Sequence, residues 1–291
     1  MRTGHQRGAI SELSARRPHS TTLARPEMIA PIRLAIGVTL LGIVMTGVAD
    51  EVIFKDKAGR VLTRQELRNA SGQFTWEIAS HRPVSQEAMA LHQRGRAAAQ
   101  RGDYAAANHH FEQASRLAPT WPYPVYDAAF ARLLQGDAEG ALVFYERVDA
   151  LAPRGFFTSK TAIDALRKEL SKQLPSGTYL AYVSLEWIDD SAQRRRAVEE
   201  LVRRVPEFAP AWKARAQLAA NDEQALEFLE KGLAASPDPE TYGYLQINRA
   251  LVLARRGQRA EAIEILGTLA LDPKSPADIE AIAKETLATN F

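Results

Sequence analysis

The sequence predicts an all-helical solenoid of about five helix pairs, and three observations carry that expectation. The stretch GDYAAANHHFEQASRLAP, Gly102 to Pro119, recurs 34 residues later as GDAEGALVFYERVDALAP, Gly136 to Pro153, with seven of eighteen positions identical. Glycine and proline stand at the ends of the helix-forming runs, where helices stop. The chain of 291 residues is 46% apolar and 25% charged, enough to build a substantial core. A fixed period of this kind marks units that cannot bury their apolar faces alone and stack into one core.

Residues 1–49 are expected to be a leader. From Leu34 to Ala49 there is no charge, Arg33 precedes the run, and Gly47 and Ala49 stand at the minus-three and minus-one places of a signal-peptidase site. Cleavage would leave a periplasmic or otherwise exported protein. The alternative is an uncleaved inner-membrane anchor through residues 34–49, although a spanning helix normally needs about 20 apolar residues. The first 27 residues carry five arginines and no apolar periodicity, so disorder is expected there. Translation from Met28 instead of Met1 would give a signal peptide of ordinary length. Arg16-Arg17 is followed by PHSTT, which lacks the apolar residue of a twin-arginine signal. The leader holds six of the 37 basic and two of the 35 acidic residues, leaving 31 against 33 and a net charge of −2 after cleavage. The overall basic balance therefore belongs to the leader and argues against nucleic acid as a partner. The absence of cysteine excludes disulfides, thiolate metal sites and a lipid-modified N-terminal cysteine.

Residues 50–82 read as a small N-terminal cap. Val52, Ile53 and Phe54 form a β-prone run, KDKAG supplies a turn, and Val61-Leu62 is the expected return strand of a hairpin. Thr63 to Glu66 has capping-box spacing, which predicts a short helix. Phe74, Trp76 and Ile78 follow at period two.

Residues 83–291 read as the repeat domain. Ser85 is a candidate N-cap, a helix from Gln86 to about 101 is closed by Gly102, and its partner from Tyr104 to Leu117 is stopped by Pro119. Here the chain resembles the tetratricopeptide repeat family, whose unit is two antiparallel helices in 34 residues. Gly95, Ala107, Phe111, Ala114 and Pro119 stand where that family keeps small residues, an aromatic and a helix-ending proline. The second repeat keeps Ala141, Tyr145 and Pro153, with Ala129 and Val148 in place of the first repeat's Gly95 and Ala114. Degenerate copies follow around Ala225 to Pro237 and around Ala250, Gly257 and Ala262. A further pair turns at Asp189-Asp190. An extra helix is expected near residues 158–173, and SPADIEAIAKETLATNF predicts a C-terminal capping helix.

Little in the sequence points to catalysis. His81, His92, His109 and His110 are the histidines beyond the leader, and His109 and His110, being adjacent, point about 100° apart on a helix, which does not suit a shared metal. Asp189-Asp190 is explained by turn chemistry. There is no phosphate loop, nucleophile elbow or metalloprotease motif, and no cofactor is expected. An enzyme hidden from sequence would be marked by a buried pair of perturbed carboxylates. The basic run with Arg194, Arg195, Arg196, Arg203 and Arg204 is interspersed with Glu199 and Glu200, as on a solvated, internally paired helix face.

Tyr123, Tyr126 and Phe130 are spaced three and four apart, which makes one helical stripe. The resemblance implies that this stripe lines the concave groove that receives a partner segment. His92 and Arg96 occupy the matching places in repeat one, and Asn248 lies in the last repeat. These six residues are the candidate partner-binding set. The Lys and Asn of the family's carboxylate-clamp variety are missing from repeat one. The expected function is a noncatalytic scaffold for a protein or peptide partner. The alternative is a structural or assembly protein of the cell envelope, acting by self-association or as a membrane-anchored subunit.

Overall fold

The computed structural model describes residues 84–291 throughout, and before them Val52–Lys55, Arg60, Val61, Thr63 and Thr75–Ile78. The leader expected at 1–49 and the short helix expected after Thr63 lie outside the described residues. Strands β1 (Val52–Lys55) and β2 (Thr75–Ile78) pair antiparallel, Val52 opposite Ile78 and Lys55 opposite Thr75. β1 thus pairs with the period-two segment, and Leu62 of the expected return strand lies outside the described residues. Four residues rich in Thr, Trp and Ile sustain a ladder, whereas Val61 makes an isolated bridge and is 53% exposed.

Helices then follow without interruption. Repeat one is α1 (Gln86–Gln100) and α2 (Tyr104–Leu117); repeat two is α3 (Pro122–Leu134) and α4 (Ala138–Leu151). The lone helix α5 (Ser159–Leu170) precedes a pair made of α6 (Thr178–Ser184), a 3-10 turn (Leu185–Trp187) and α7 (Ser191–Arg204). Two more pairs are α8 (Ala209–Gln217) with α9 (Asp222–Ala234) and α10 (Pro239–Arg255) with α11 (Arg259–Leu271), and α12 (Ala277–Asn290) ends the chain. Among the described residues no helix is long and apolar enough to cross a membrane.

The repeated Gly-Asp pair has a direct physical reading. Gly102 and Gly136 adopt positive φ of 78° and 82°, a conformation costly for any residue with a Cβ. Each lets the chain reverse after a helix, and the next residue, Asp103 or Asp137, accepts from the amide of Ala106 or Gly140 to cap the following helix. The small residues of the repeat sit where helices meet: Ala107, Ala114 and Ala141 are fully buried. A Cβ built on Gly95 would lie 2.5 Å from the Phe111 ring. The two helices of repeat one are therefore held together by a glycine facing an aromatic ring.

The coil also closes on itself. α5 packs against α10, and the α4–α5 loop meets the start of α12. The Arg154 guanidinium donates to the Ser275 carbonyl at 3.1 Å and pairs with Glu280, while the Ala277 amide donates to the Arg154 carbonyl at 2.7 Å. That loop carries two positive-φ residues, Gly155 and Phe157, at 96° and 50°. The C-terminal arm is thus seated on the end of repeat two.

Candidate functional site

α1 turns His92 and Arg96 toward α3, where both meet a carboxylate. His92 Nε2 lies 2.7 Å from Asp127 Oδ2, and Arg96 Nε lies 3.7 Å from the same oxygen. The His92 ring is buried among Phe111, Trp121 and Tyr123, with centroids 5.6, 4.9 and 6.3 Å away. Arg96 remains half-buried at the rim.

The α3 stripe divides into three environments. Tyr123 packs edge-on against Phe156 and Phe157 of the α4–α5 loop. Tyr126, expected to face a partner, lies in the core: it is 9% exposed, packs on Tyr145 and Phe157, and shares a 2.8 Å hydrogen bond with the Thr158 hydroxyl. The loop between α4 and α5 covers it, so its hydroxyl satisfies an internal partner, and burial pushes its ionisation far above the ordinary tyrosine range. Phe130 is half-buried and meets Trp187 edge-on, with centroids 6.2 Å apart. Trp187, on the 3-10 turn, is itself 38% exposed.

The structure thus joins His92 and Arg96 on Asp127, with Tyr123 against the His92 ring, and leaves Phe130 with Trp187 at the edge of the same helix. Asn248 stands apart on α10; among the described residues it makes no hydrogen bond, ion pair or ring contact to the other five. Sequence reasoning missed Asp127 and Trp187. Asp127 could have been suspected as the one carboxylate inside an apolar helix, PYPVYDAAFARLL, but Trp187 lies in an irregular turn whose direction no period specifies.

A second group of polar side chains is sealed inside the junction of α5, α8, α10 and α12. Asp238 caps α10, its Oδ1 accepting from the amides of Glu240 and Thr241 and from the Thr161 hydroxyl. Asp278 accepts from the Tyr244 hydroxyl at 2.8 Å. Lys213 Nζ lies over the Tyr244 ring, 4.9 Å from its centroid. Burial, followed by the neighbouring Asp278 and Asp238 charges, pushes Glu240 well above the usual carboxylate range. Burial pushes Asp278 up to about 6. Burial works to lower the Lys213 ammonium, but Tyr182, Glu240 and Asp238 outweigh it and the net direction is upward. A perturbed carboxylate pair is therefore present, with Glu240 and Asp278 only 2% and 5% exposed.

Two other motifs resolve into structural duties. Asp190 caps α7 through the Gln193 amide. On α7, Arg203 pairs with Glu200, Glu199 pairs with Arg215 of α8, and Arg194 donates to the Ile188 carbonyl, so the basic run is tied into the fold while the helix keeps more arginines than glutamates.

Paired helices in 34-residue units, stacked through small residues into a curved array, define the class: a helical-repeat solenoid. Its fold is of the tetratricopeptide type, and the model for that family, "Tetratricopeptide repeat", matches residues 88–121. Similar solved structures include MamA from Desulfovibrio magneticus RS-1, at 16% identity and TM-score 0.32, covering 64% of this chain and 94% of that one. A thermophilic tetratricopeptide-repeat protein of Thermus thermophilus is 20% identical at TM-score 0.30, covering 69% and 98%. The TPR2AB domain of yeast Sti1, in complex with pHSP90, is 17% identical at TM-score 0.31, covering 70% and 87%. At these identities and TM-scores the likenesses assign no function. No curated protein matches the chain in sequence.

Proposed function

We propose that this protein is an exported, noncatalytic scaffold that binds a protein segment along the face shared by α1, α3 and the 3-10 turn. The observation that carries this reading is the partly exposed pair of Trp187, on the 3-10 turn, and Phe130, on the same helix as Asp127, which pairs with Arg96 at the rim. Aromatic rings beside an arginine are the side chains in which interface energy concentrates. His92 and Tyr123 act as support by fixing Asp127 and the helix spacing, and Tyr126 is part of the frame. Export is proposed from the charge-free run of the leader.

The test uses residues 50–291 as bait in envelope extracts. Phe130→Ala with Trp187→Ala should weaken partner capture at least about tenfold, in line with anchors worth roughly 2 kcal/mol each, while helical circular dichroism stays unchanged. A folded double variant that retains its partners at wild-type strength refutes the face. Mass spectrometry of the full chain expressed in a bacterium should find Asp50 at the N-terminus; an intact 28–49 segment in the membrane fraction would favour the anchor.

A further inference from the structure

The closure of the coil runs through a junction whose charges do not balance. Among the described residues, Lys213 of α8 is the cation facing Asp238 and Glu240 of α10 and Asp278 of α12, and all four side chains are more than nine-tenths buried. α5 enters through Thr161, whose hydroxyl donates to Asp238 and hydrogen-bonds with Thr241, and whose amide makes a long contact to Glu240. α6 contributes Tyr182, near Lys213. α10 also contributes Tyr244, which donates to Asp278 and lies under Lys213, while Tyr126 and Tyr179 meet at the Thr158 hydroxyl beside α5. The first turns of α5, α10 and α12 therefore converge on the junction. Ionising all three carboxyl groups against one ammonium would leave an excess of two negative charges where water is excluded, met by backbone amides at the helix N-termini. Separating the helices and letting water in removes that conflict.

We propose that this cluster is a proton-operated clasp: with Glu240 and Asp278 protonated the α10–α12 arm stays seated on α5 and the α4–α5 loop, and with both ionised the arm loosens and the interior of the coil opens. The contacts that would part are the ones that join residues more than 70 positions apart, Thr161 to Asp238 and Arg154 to Ser275, Ala277 and Glu280. The strained α4–α5 loop, with Phe157 at positive φ, supplies the hinge side of the seat. The upward shifts at Glu240 and Asp278 agree in sign. The folded junction keeps protons that the unfolded chain gives up, so its stability is full below the unfolded pKa and is lost as pH rises through the folded one. For Asp278 that window runs from 3.8 to about 6, and Glu240 extends it upward. The clasp is independent of what occupies the α1–α3 face.

Because the chain has no cysteine, Arg147→Cys on α4 and Ala288→Cys on α12, both exposed, give one labelled pair in the full chain. Energy transfer between the labels should be constant in mild acid and fall reversibly between about pH 5 and 8, while helical circular dichroism holds. The melting temperature should drop by roughly 5 °C between about pH 4.5 and 8. Glu240→Gln with Asp278→Asn should keep the transfer high and flat to pH 8; if that pair fails to fold, Asp278→Asn alone should move the midpoint of the fall. A wild-type profile that is flat, or a variant profile that coincides with the wild type, overturns the clasp. A melting temperature that falls with pH while transfer stays constant overturns it too, since the acids then lower stability without moving the arm.

Discussion

Gly95 meets the Phe111 ring so closely that a methyl group at that position has no room. Gly95→Ala should therefore cost about 1 to 3 kcal/mol by overpacking, and Ala141→Leu a similar amount, because Ala141 is fully buried where the helices of repeat two meet. Thermal melts followed by circular dichroism check both; an unchanged midpoint for either would mean the helices can move apart freely. Tyr126→Ala should cost about 3 to 5 kcal/mol, since it removes a ring packed on Tyr145 and Phe157 together with the Thr158 hydrogen bond. That loss would appear as unfolding, so Tyr126 cannot report on binding. The three-and-four spacing of Tyr123, Tyr126 and Phe130 was legible in the sequence. Which of the rings faces outward was not, because a loop beyond their own helix decides it.

Among the elements, α5 and α6 depend on a single buried side chain. Glu169, near the end of α5, accepts from the amides of Gly177 at 2.7 Å and Tyr179 at 2.6 Å, and so serves the first turn of α6, whose N-cap is a glycine with no side chain to offer. Glu169→Ala leaves the buried Tyr179 amide without a partner and the exposed Gly177 amide to water, and should cost about 1 to 3 kcal/mol and fray α6 selectively. Amide hydrogen exchange would show this as lost protection at Tyr179 and Ala181 with α2 unaffected; uniform protection would contradict it. The sequence announces α5 as an extra helix through its apolar period and the LPSG stop. Its duty as the element on which α10 closes is carried by Thr161 and Asp238, which are 77 positions apart.

For the whole molecule, two sets of carboxylates oppose one another. Hydrogen bonding to Arg255 holds Asp222 below the usual range, and Lys284 and Arg154 outweigh the opposing burial at Glu280 to lower it as well. Groups of this kind stabilise the fold above their unfolded pKa, and the benefit is lost as pH falls through the folded one. Glu240 and Asp278 act with the opposite sign. The melting temperature should therefore pass through a maximum near about pH 5 and decline on both sides. A calorimetric series with its maximum at neutral pH or above would show that the buried acids do not dominate.

The solenoid is written in the chain itself. The 34-residue period, Gly102-Asp103 and Gly136-Asp137, and the small residues at 95, 107 and 141 are local instructions, because each acts within a helix pair or between neighbours. The closure of that solenoid was decided only by tertiary structure. Arg154 meets Ser275, and Glu240 and Asp278 face Lys213, through the accumulated curvature of the stacked repeats, which sets the positions of residues far apart in the chain by the sum of small rotations. The same curvature carries Trp187 to Phe130 and the α4–α5 loop over Tyr126, so the outward face of the protein, like its buried charge, depends on contacts that no repeat contains by itself.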